Sequence, residues 1–395
     1  MQVRASHILS ASPSSQRRFP VPLLLGACMV LLSAGDLRAQ CCSAGSGSCI
    51  VGGAAQGVLQ EQELQLSSNF QFIGTEAFYK EDQRTEEHTF DGFRSRYQYF
   101  KVAYGASPKL TLSVEAGHHL LKEEIGRMKD PATTYRSSGF GDLVIFPRFQ
   151  VLRTEGHKGM NEIALGLGYK LPLGSYNDSI GQVEPFSGQT YYITKPTAVQ
   201  LSSGAQDAVF YAFLHHGFLK PKINLSATAM YVKTGWNPNG EKLGNFTSLA
   251  LFASRPIHDL VGLTLQVRYE SIARMQVNSN ILLFGKPTNY FPEATGYRKF
   301  FFTPQVSIGK GSFTFFAATD LPLYQYMNTS DHYAQVGSQH TTTVGLAYRF
   351  MVKRPKAAVE KVPGRYYCPM HPEEQADGPA RCGKCGMDLE KEPAK

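Results

Sequence analysis

Apolar and polar residues alternate with a period of two along several stretches of the chain. Val261, Leu263, Leu265, Val267 and Tyr269 share one face, and Gly262, Thr264, Gln266, Arg268 and Glu270 share the other. Ile163, Leu165, Leu167, Tyr169 and Leu171 oppose Glu162, Ala164, Gly166, Gly168 and Lys170; Leu110, Leu112, Val114 and Ala116 oppose Thr111, Ser113, Glu115 and Gly117. Such alternation marks strands with one apolar face. The spacing predicts strands near 62–78, 92–106, 109–122, 139–153, 161–174, 207–219, 222–235, 244–256, 260–273, 297–309, 311–324 and 339–350.

The gaps between these strands separate a soluble sandwich from a membrane barrel. Short ones (Ser107-Pro108, Lys220-Pro221, Gly309-Lys310-Gly311) alternate with long ones (123–138, 175–206, 274–296, 325–338). Bacterial outer-membrane barrels have an even strand number, short periplasmic turns and long external loops. A sandwich has no reason to alternate its connections. The expected fold is therefore all-β: an antiparallel transmembrane β-barrel of about 12 strands over 62–350, with apolar faces toward outer-membrane lipid. An even count allows the barrel to begin and end in the periplasm, where both termini are then expected.

The end of the last strand, Thr343-x-Gly345-x-x-Tyr348-x-Phe350, resembles the recognition signal of the barrel-assembly machinery. Thr342, Val344, Leu346, Tyr348 and Phe350 would face lipid and Arg349 the lumen. Three further segments resemble the outer-membrane transporter family named for the meta-pathway of phenol degradation. They are Ser138-Gly139-Phe140-Gly141-Asp142, Leu171-Pro172-Leu173-Gly174 after Lys170, and Ser203-Gly204-Ala205-Gln206-Asp207. That resemblance covers about 100–340 and implies passage of small molecules without naming a solute.

The N-terminus reads as an export signal over 1–39. Arg17 and Arg18 precede the apolar run Val21 to Ala34, which is shorter than the roughly 20 residues a membrane span needs. Leu37-Arg38-Ala39 follows, so the mature chain would begin at Gln40. Gln40 before Cys41 is not the small residue a lipoprotein signal carries. Lipidation at Cys41 and an uncleaved anchor are the alternatives.

Composition narrows the function. The net charge of +8 is spread along the chain, with no basic block, so no nucleic-acid partner is read. Of seven cysteines, Cys28 falls in the signal, three lie at 41–49 and three at 368–385, with none in the barrel. A disulfide-stapled fold would distribute them. Residues 351–365 form a polar linker. The tail, 366–395, carries Cys368-x2-His371 and Cys382-x2-Cys385, two knuckles that supply three sulfurs and one nitrogen. That set suits one zinc ion; with Met370 and Met387 beside the ligands, it also suits copper(I).

The pattern Tyr366-x-Cys368-Pro369-Met370-His371-Pro372, then Cys382-x-x-Cys385-Gly386-Met387-x-Leu389, closely resembles the heavy-metal-binding domain of copper-exporting P-type ATPases and efflux adaptors. Gly383 departs from the proline usual there, which removes no ligand. The resemblance favours copper and a metal-efflux system as neighbour. A structural zinc knuckle, or a Cys382–Cys385 disulfide, is the plainer alternative.

Cys41, Cys42 and Cys49 read equally as a soft-metal cluster or as a disulfide with one thiol over, and residues 50–61 as a cap on the barrel mouth. His118-His119 and His215-His216 cannot chelate as pairs, because neighbours on a strand point to opposite faces. One His of each pair would line the lumen. The acidic run from Glu81 to Glu87 reads as solvated surface. A lipid-hydrolysing barrel would need a Ser/His pair on its outer wall, and no G-x-S-x-G elbow or paired acid accompanies these histidines, so no enzyme is expected. The alternative to metal handling is a channel for small hydrophobic or aromatic solutes. The inner faces assigned here, rich in Thr, Gly, Gln, Arg and Glu, speak against it.

Overall fold

The computed structural model describes residues 57–352 and 365–391, apart from 89, 127–133, 157–158, 281–285, 287–289, 331–332, 370 and 372. Twelve antiparallel strands close into a barrel. They are β1 (Glu63–Thr75), β2 (Gly92–Ser107), β3 (Leu110–Ile125), β4 (Thr134–Gly156), β5 (Gly159–Leu171), β6 (Asp207–Phe218), β7 (Asn224–Lys233), β8 (Phe246–Pro256), β9 (Val261–Ile272), β10 (Tyr297–Lys310), β11 (Phe313–Met327) and β12 (His340–Met351). Each pairs with its sequence neighbours, and β1 closes on β12 from Glu63 opposite Met351 to Gly74 opposite His340.

Every expected strand is present. β4 begins five residues before its expected start at 139 because β3 and β4 stay paired as far as Ile125 and Thr134. Arg136 Nη2 donates to Glu123 Oε2 at 2.8 Å there, a pair no apolar alternation would reveal. β5 stops at Leu171, because Pro172 has no N–H to continue the ladder. β12 runs one residue into the expected linker.

The short connections and the entry and exit of the barrel lie at one end. The long loops lie at the other and carry small sheets of their own. Ser179–Val183 pairs with Thr190–Thr194, Phe78–Lys80 sits between Gln83–Thr85 and Gln335–Val336, and Glu241–Lys242 pairs with Gln276–Val277.

The alternation falls where the sequence predicts. Leu265 and Val267 are exposed on the outer surface while Thr264, Gln266, Arg268 and Glu270 are buried inside; on β12, Leu346 is exposed and Thr343 buried. A soluble sandwich would reverse this. An outer-membrane barrel needs it, because its solvent on the outside is hydrocarbon.

The inner wall is two-sided. β9, β10 and β11 contribute Arg268, Glu270, Lys299, Thr303, Gln305 and Asp320, all buried. Arg268 lies 2.9 Å from both Glu270 and Asp320, so its buried charge is compensated. β4 to β7 instead contribute one apolar cluster: Val144, Phe146, Ala164, Val209, Tyr211, Phe213, Met230 and Val232. Phe146 fits because Gly166 and Gly168 face it; a Cβ at either would come within 2.9 Å of its ring. The inner face of β5 thus reads as small and polar in sequence yet serves as the bed of an aromatic ring.

Residues 57–61 enter this lumen from the end at which β1 begins and β12 finishes. Gln62 N–H donates to Gly105 O (2.7 Å), Leu59 N–H to Thr111 Oγ1 (2.8 Å) and Val58 N–H to Glu162 Oε1 (2.8 Å). Val58 packs against the apolar cluster. Traced backwards from β1, the chain moves deeper into the barrel. This is the expected capping stretch, as far as its described part extends.

Candidate metal centre

The C-terminal module is built from almost no apolar material. Its central strand, Tyr366–Tyr367, pairs with Gln375–Ala376 on one side and Glu390–Lys391 on the other. Among its described residues only Cys368 and Cys382 are buried. The side chains that elsewhere form a hydrophobic core are here two thiols. A segment this short needs another source of folding energy, and a coordinated ion supplies it in small metal domains.

Each ligand pair is presented by a tight turn. Cys368 N–H donates to Glu374 O (3.1 Å) and Glu374 N–H to His371 O (2.9 Å), which folds the first knuckle back on itself. In the second, Cys382 N–H donates to Met387 O and Gly386 N–H to Cys382 O, both at 2.8 Å. Gly386 has φ +73°, the left-handed conformation that glycine adopts without strain. Lys384 Nζ reaches Glu373 Oε1 at 2.9 Å across the two knuckles. Both groups are half-exposed, so the pair orients the turns more than it stabilises them.

The four donors converge. Cys368 Sγ lies 3.5 Å from Cys385 Sγ and 3.9 Å from His371 Nδ1, and Cys382 Sγ lies 3.7 Å from His371 Nδ1. All four ligand atoms fall within 4.8 Å of one another. A tetrahedral ion with bonds of about 2.3 Å to sulfur and about 2.0 Å to nitrogen sets its donors roughly 3.5–3.8 Å apart. The cage therefore fits one such ion. All three cysteines are free, with no Cys382–Cys385 disulfide.

The thiols are unequal. Burial pushes the Cys382 thiol up, but the N–H groups of Lys384 and Cys385 and the neighbouring thiols outweigh it and bring it to about 7. The Met387 N–H pulls Cys385 down, yet burial and hydrogen bonds with Cys368 and Cys382 hold it above its ordinary value. Cys382 is thus a readier thiolate than Cys385, and the thiolate is the form of a cysteine that binds a metal.

Of the other expected ligands, Met387 is described and its side chain is 44% exposed. Met370, Cys41, Cys42 and Cys49 lie outside the described residues, as do the export signal and most of the linker.

The histidine pairs divide between faces as their parity predicts. His119 packs against buried Tyr97 (4.6 Å) and His118 against exposed Phe140 (4.7 Å). His215 Nδ1 lies 2.9 Å from Ser226 Oγ inside the barrel, while His216 Nδ1 lies 2.6 Å from Asn161 Oδ1. Met230 faces inward, 2% exposed.

The three transporter-like motifs meet in space. Lys170 Nζ lies 2.8 Å from Asp142 Oδ2, 2.7 Å from Asp207 Oδ2 and 2.8 Å from Ser203 Oγ. One cation thereby joins β4, β5, β6 and the loop 172–206. The sequence showed each motif but not their junction, since nothing in a strand's own alternation says which polar ends meet.

Two parts of the chain are similar to known proteins. Residues 365–392 match the heavy metal binding domain family. No curated protein matches the sequence. The barrel resembles the crystal structure of the COG4313 outer membrane channel from Pseudomonas putida F1, at TM-score 0.55 and 11% identity over 74% of this chain and 97% of that one. The autotransporter NalP translocator domain from Neisseria meningitidis also matches (TM-score 0.37, 12% identity, 73% and 88% covered). So does a Pseudomonas aeruginosa FadL homologue (TM-score 0.36, 11% identity, 75% and 91% covered). The chain thus joins a barrel with the fold of the COG4313 channel to a heavy-metal-binding module.

Proposed function

We propose that this protein is an outer-membrane barrel for heavy-metal handling, not an enzyme, whose periplasmic tail captures one copper(I) or zinc ion as cargo. Cys368, His371, Cys382 and Cys385 hold the ion. The single observation that carries this reading is that the module's only buried described side chains are two of those ligands. A module whose core is its metal site folds and unfolds with its load.

Copper(I) is the preferred cargo, because three thiolates flanked by methionines suit a soft ion. Both termini lie in the periplasm, where a secreted chain assembled by the barrel-assembly machinery leaves them. A tether of this length holds the captured ion near the pore at an effective concentration of order mM. Cys41, Cys42 and Cys49 give the entering N-terminal segment soft donors of its own. A metal-efflux system is the natural neighbour. Proteoliposomes containing the mature chain or a variant ending at Val352 test the reading. Metal flux should fall when the tail is removed; equal flux in both contradicts it.

One observation favours a second reading. The wall formed by Phe146, Tyr211 and Phe213 suits passage of a small hydrophobic or aromatic solute, with the tail a structural zinc knuckle. Uptake of such a solute, unchanged on tail removal, would support it.

A further inference from the structure

The outer wall of the barrel carries a groove that neither the metal module nor the lumen explains. It crosses the wall from Leu152 on β4 to Phe302 on β10, with a volume of about 800 Å³. Strand register shows how it forms. In one row across the strands, Ala227 stands between its partners Leu214 and Leu251. In the next row toward the short turns, Ala253 stands between Leu225 and Leu265. The four leucines are 40–66% exposed and project from the wall. The two alanine methyls leave a floor between them. Such a floor forfeits dispersion contacts until something fills it.

Toward the short turns the groove becomes polar and then cationic. His216, the partner of Leu225, has its Nδ1 2.6 Å from Asn161 Oδ1, and Asn161 Nδ2 donates to Thr154 Oγ1 at 3.0 Å. Two residues beyond Ala253 on the same face of β8, roughly 7 Å nearer the turn, Arg255 is exposed. The turns 219–223 and 257–260 join β6 to β7 and β8 to β9 there, and Lys220 and Lys222 are exposed on the first. Against these three cations the two turns hold one acid, Asp259. Among the described residues none of the three cations enters an ion pair.

The groove opens onto the side of the barrel whose solvent is hydrocarbon, so lipid tails are the material at hand. Exposed lysine and arginine at a membrane surface attract anionic headgroups. The arginine fork also matches a phosphate in two hydrogen bonds. An apolar floor, then hydrogen-bonding side chains, then cations is the order of parts in an anionic phospholipid read from tail to phosphate. A second copy docked here about a two-fold axis would bring the same cations face to face.

We propose that this groove holds one anionic glycerophospholipid, with its acyl chains against Ala227 and Ala253 and its phosphate at Arg255. Lys220 and Lys222 flank the headgroup. The site is independent of the metal module and stands or falls without it.

Native mass spectrometry of the full mature chain tests this, after incubation in detergent with equal amounts of phosphatidylglycerol and phosphatidylcholine carrying the same chains. One phosphatidylglycerol per barrel is expected, retained at least about fivefold over phosphatidylcholine. Ala227→Phe/Ala253→Phe, which fills the floor from the lipid side, should lower retention of phosphatidylglycerol severalfold. Arg255→Gln combined with Lys220→Gln and Lys222→Gln should bring it down to the level of phosphatidylcholine, and serves if the filled-groove variant does not fold. Equal retention of the two lipids, retention unchanged in the folded variants, preferential uptake of lipid A, or a stable dimer that excludes lipid would overturn the proposal.

Discussion

Cys368 and Cys385, 17 positions apart in the chain, bring their sulfurs to 3.5 Å. Among the described residues of the module no apolar side chain other than the thiols of Cys368 and Cys382 is buried; two folded-back turns and a six-residue sheet bring the sulfurs together. Replacing the buried ligand, Cys368→Ser, is expected to weaken metal binding by about a hundredfold or more, since one donor is lost and the fold depends on the ion. The barrel should remain folded, judged by its heat-modifiable mobility on gels. Retained affinity would mean that the ion is held elsewhere.

Protons compete with the metal for the thiolates. Cys382 titrates near about 7, so at about pH 6 an incoming ion must displace its proton and at about pH 8 it need not. Cys385, held above its ordinary value, still carries its proton at neutrality. Apparent affinity should therefore rise as pH is raised through 7, and binding should release protons, measurable in a weakly buffered titration. A flat profile between about pH 6 and pH 8 would contradict the assignment of the thiols as ligands.

Lys170 shares its charge between Asp142 and Asp207 at 2.8 and 2.7 Å. Lys170→Met leaves two buried carboxylates without their cation and should destabilise the barrel by about 3–5 kcal/mol. Adding Asp142→Asn and Asp207→Asn should recover most of that loss. Denaturant unfolding of the refolded barrels measures both. No recovery in the triple variant would mean that the lysine acts through its packing.

Residues 57–61 lie in the lumen, with Val58 against the apolar cluster. A chain lacking residues 40–61 should form a barrel of higher single-channel conductance in planar bilayers. Unchanged conductance would place the constriction at the long loops of the opposite end.

The strand framework was legible because lipid and lumen impose opposite polarities on neighbouring residues. Val261 to Glu270 shows this directly, and the four donors that converge in the tail stand at the spacing of two knuckles. Other features were hidden for physical reasons. Val144, Ile145 and Phe146 are apolar in succession, so the period-two reading cannot see that Val144 and Phe146 line the lumen while Ile145 faces out. The inner faces assigned from the sequence, rich in Thr, Gly, Gln, Arg and Glu, left this apolar wall out, because Val144 to Phe146 show no alternation; β9, which alternates cleanly, belongs to the charged wall. The junction at Lys170 depends on the pairing of three strands and on the approach of the loop 172–206. Local pattern does not carry it.

The most direct measurement is the metal content of the mature chain, refolded reduced in detergent, beside a Cys368→Ser/Cys382→Ser variant. One copper or zinc ion per chain, lost in the variant while the barrel still closes, is the result expected of a metal-capturing tail. No metal in either chain, or equal metal in both, would contradict it.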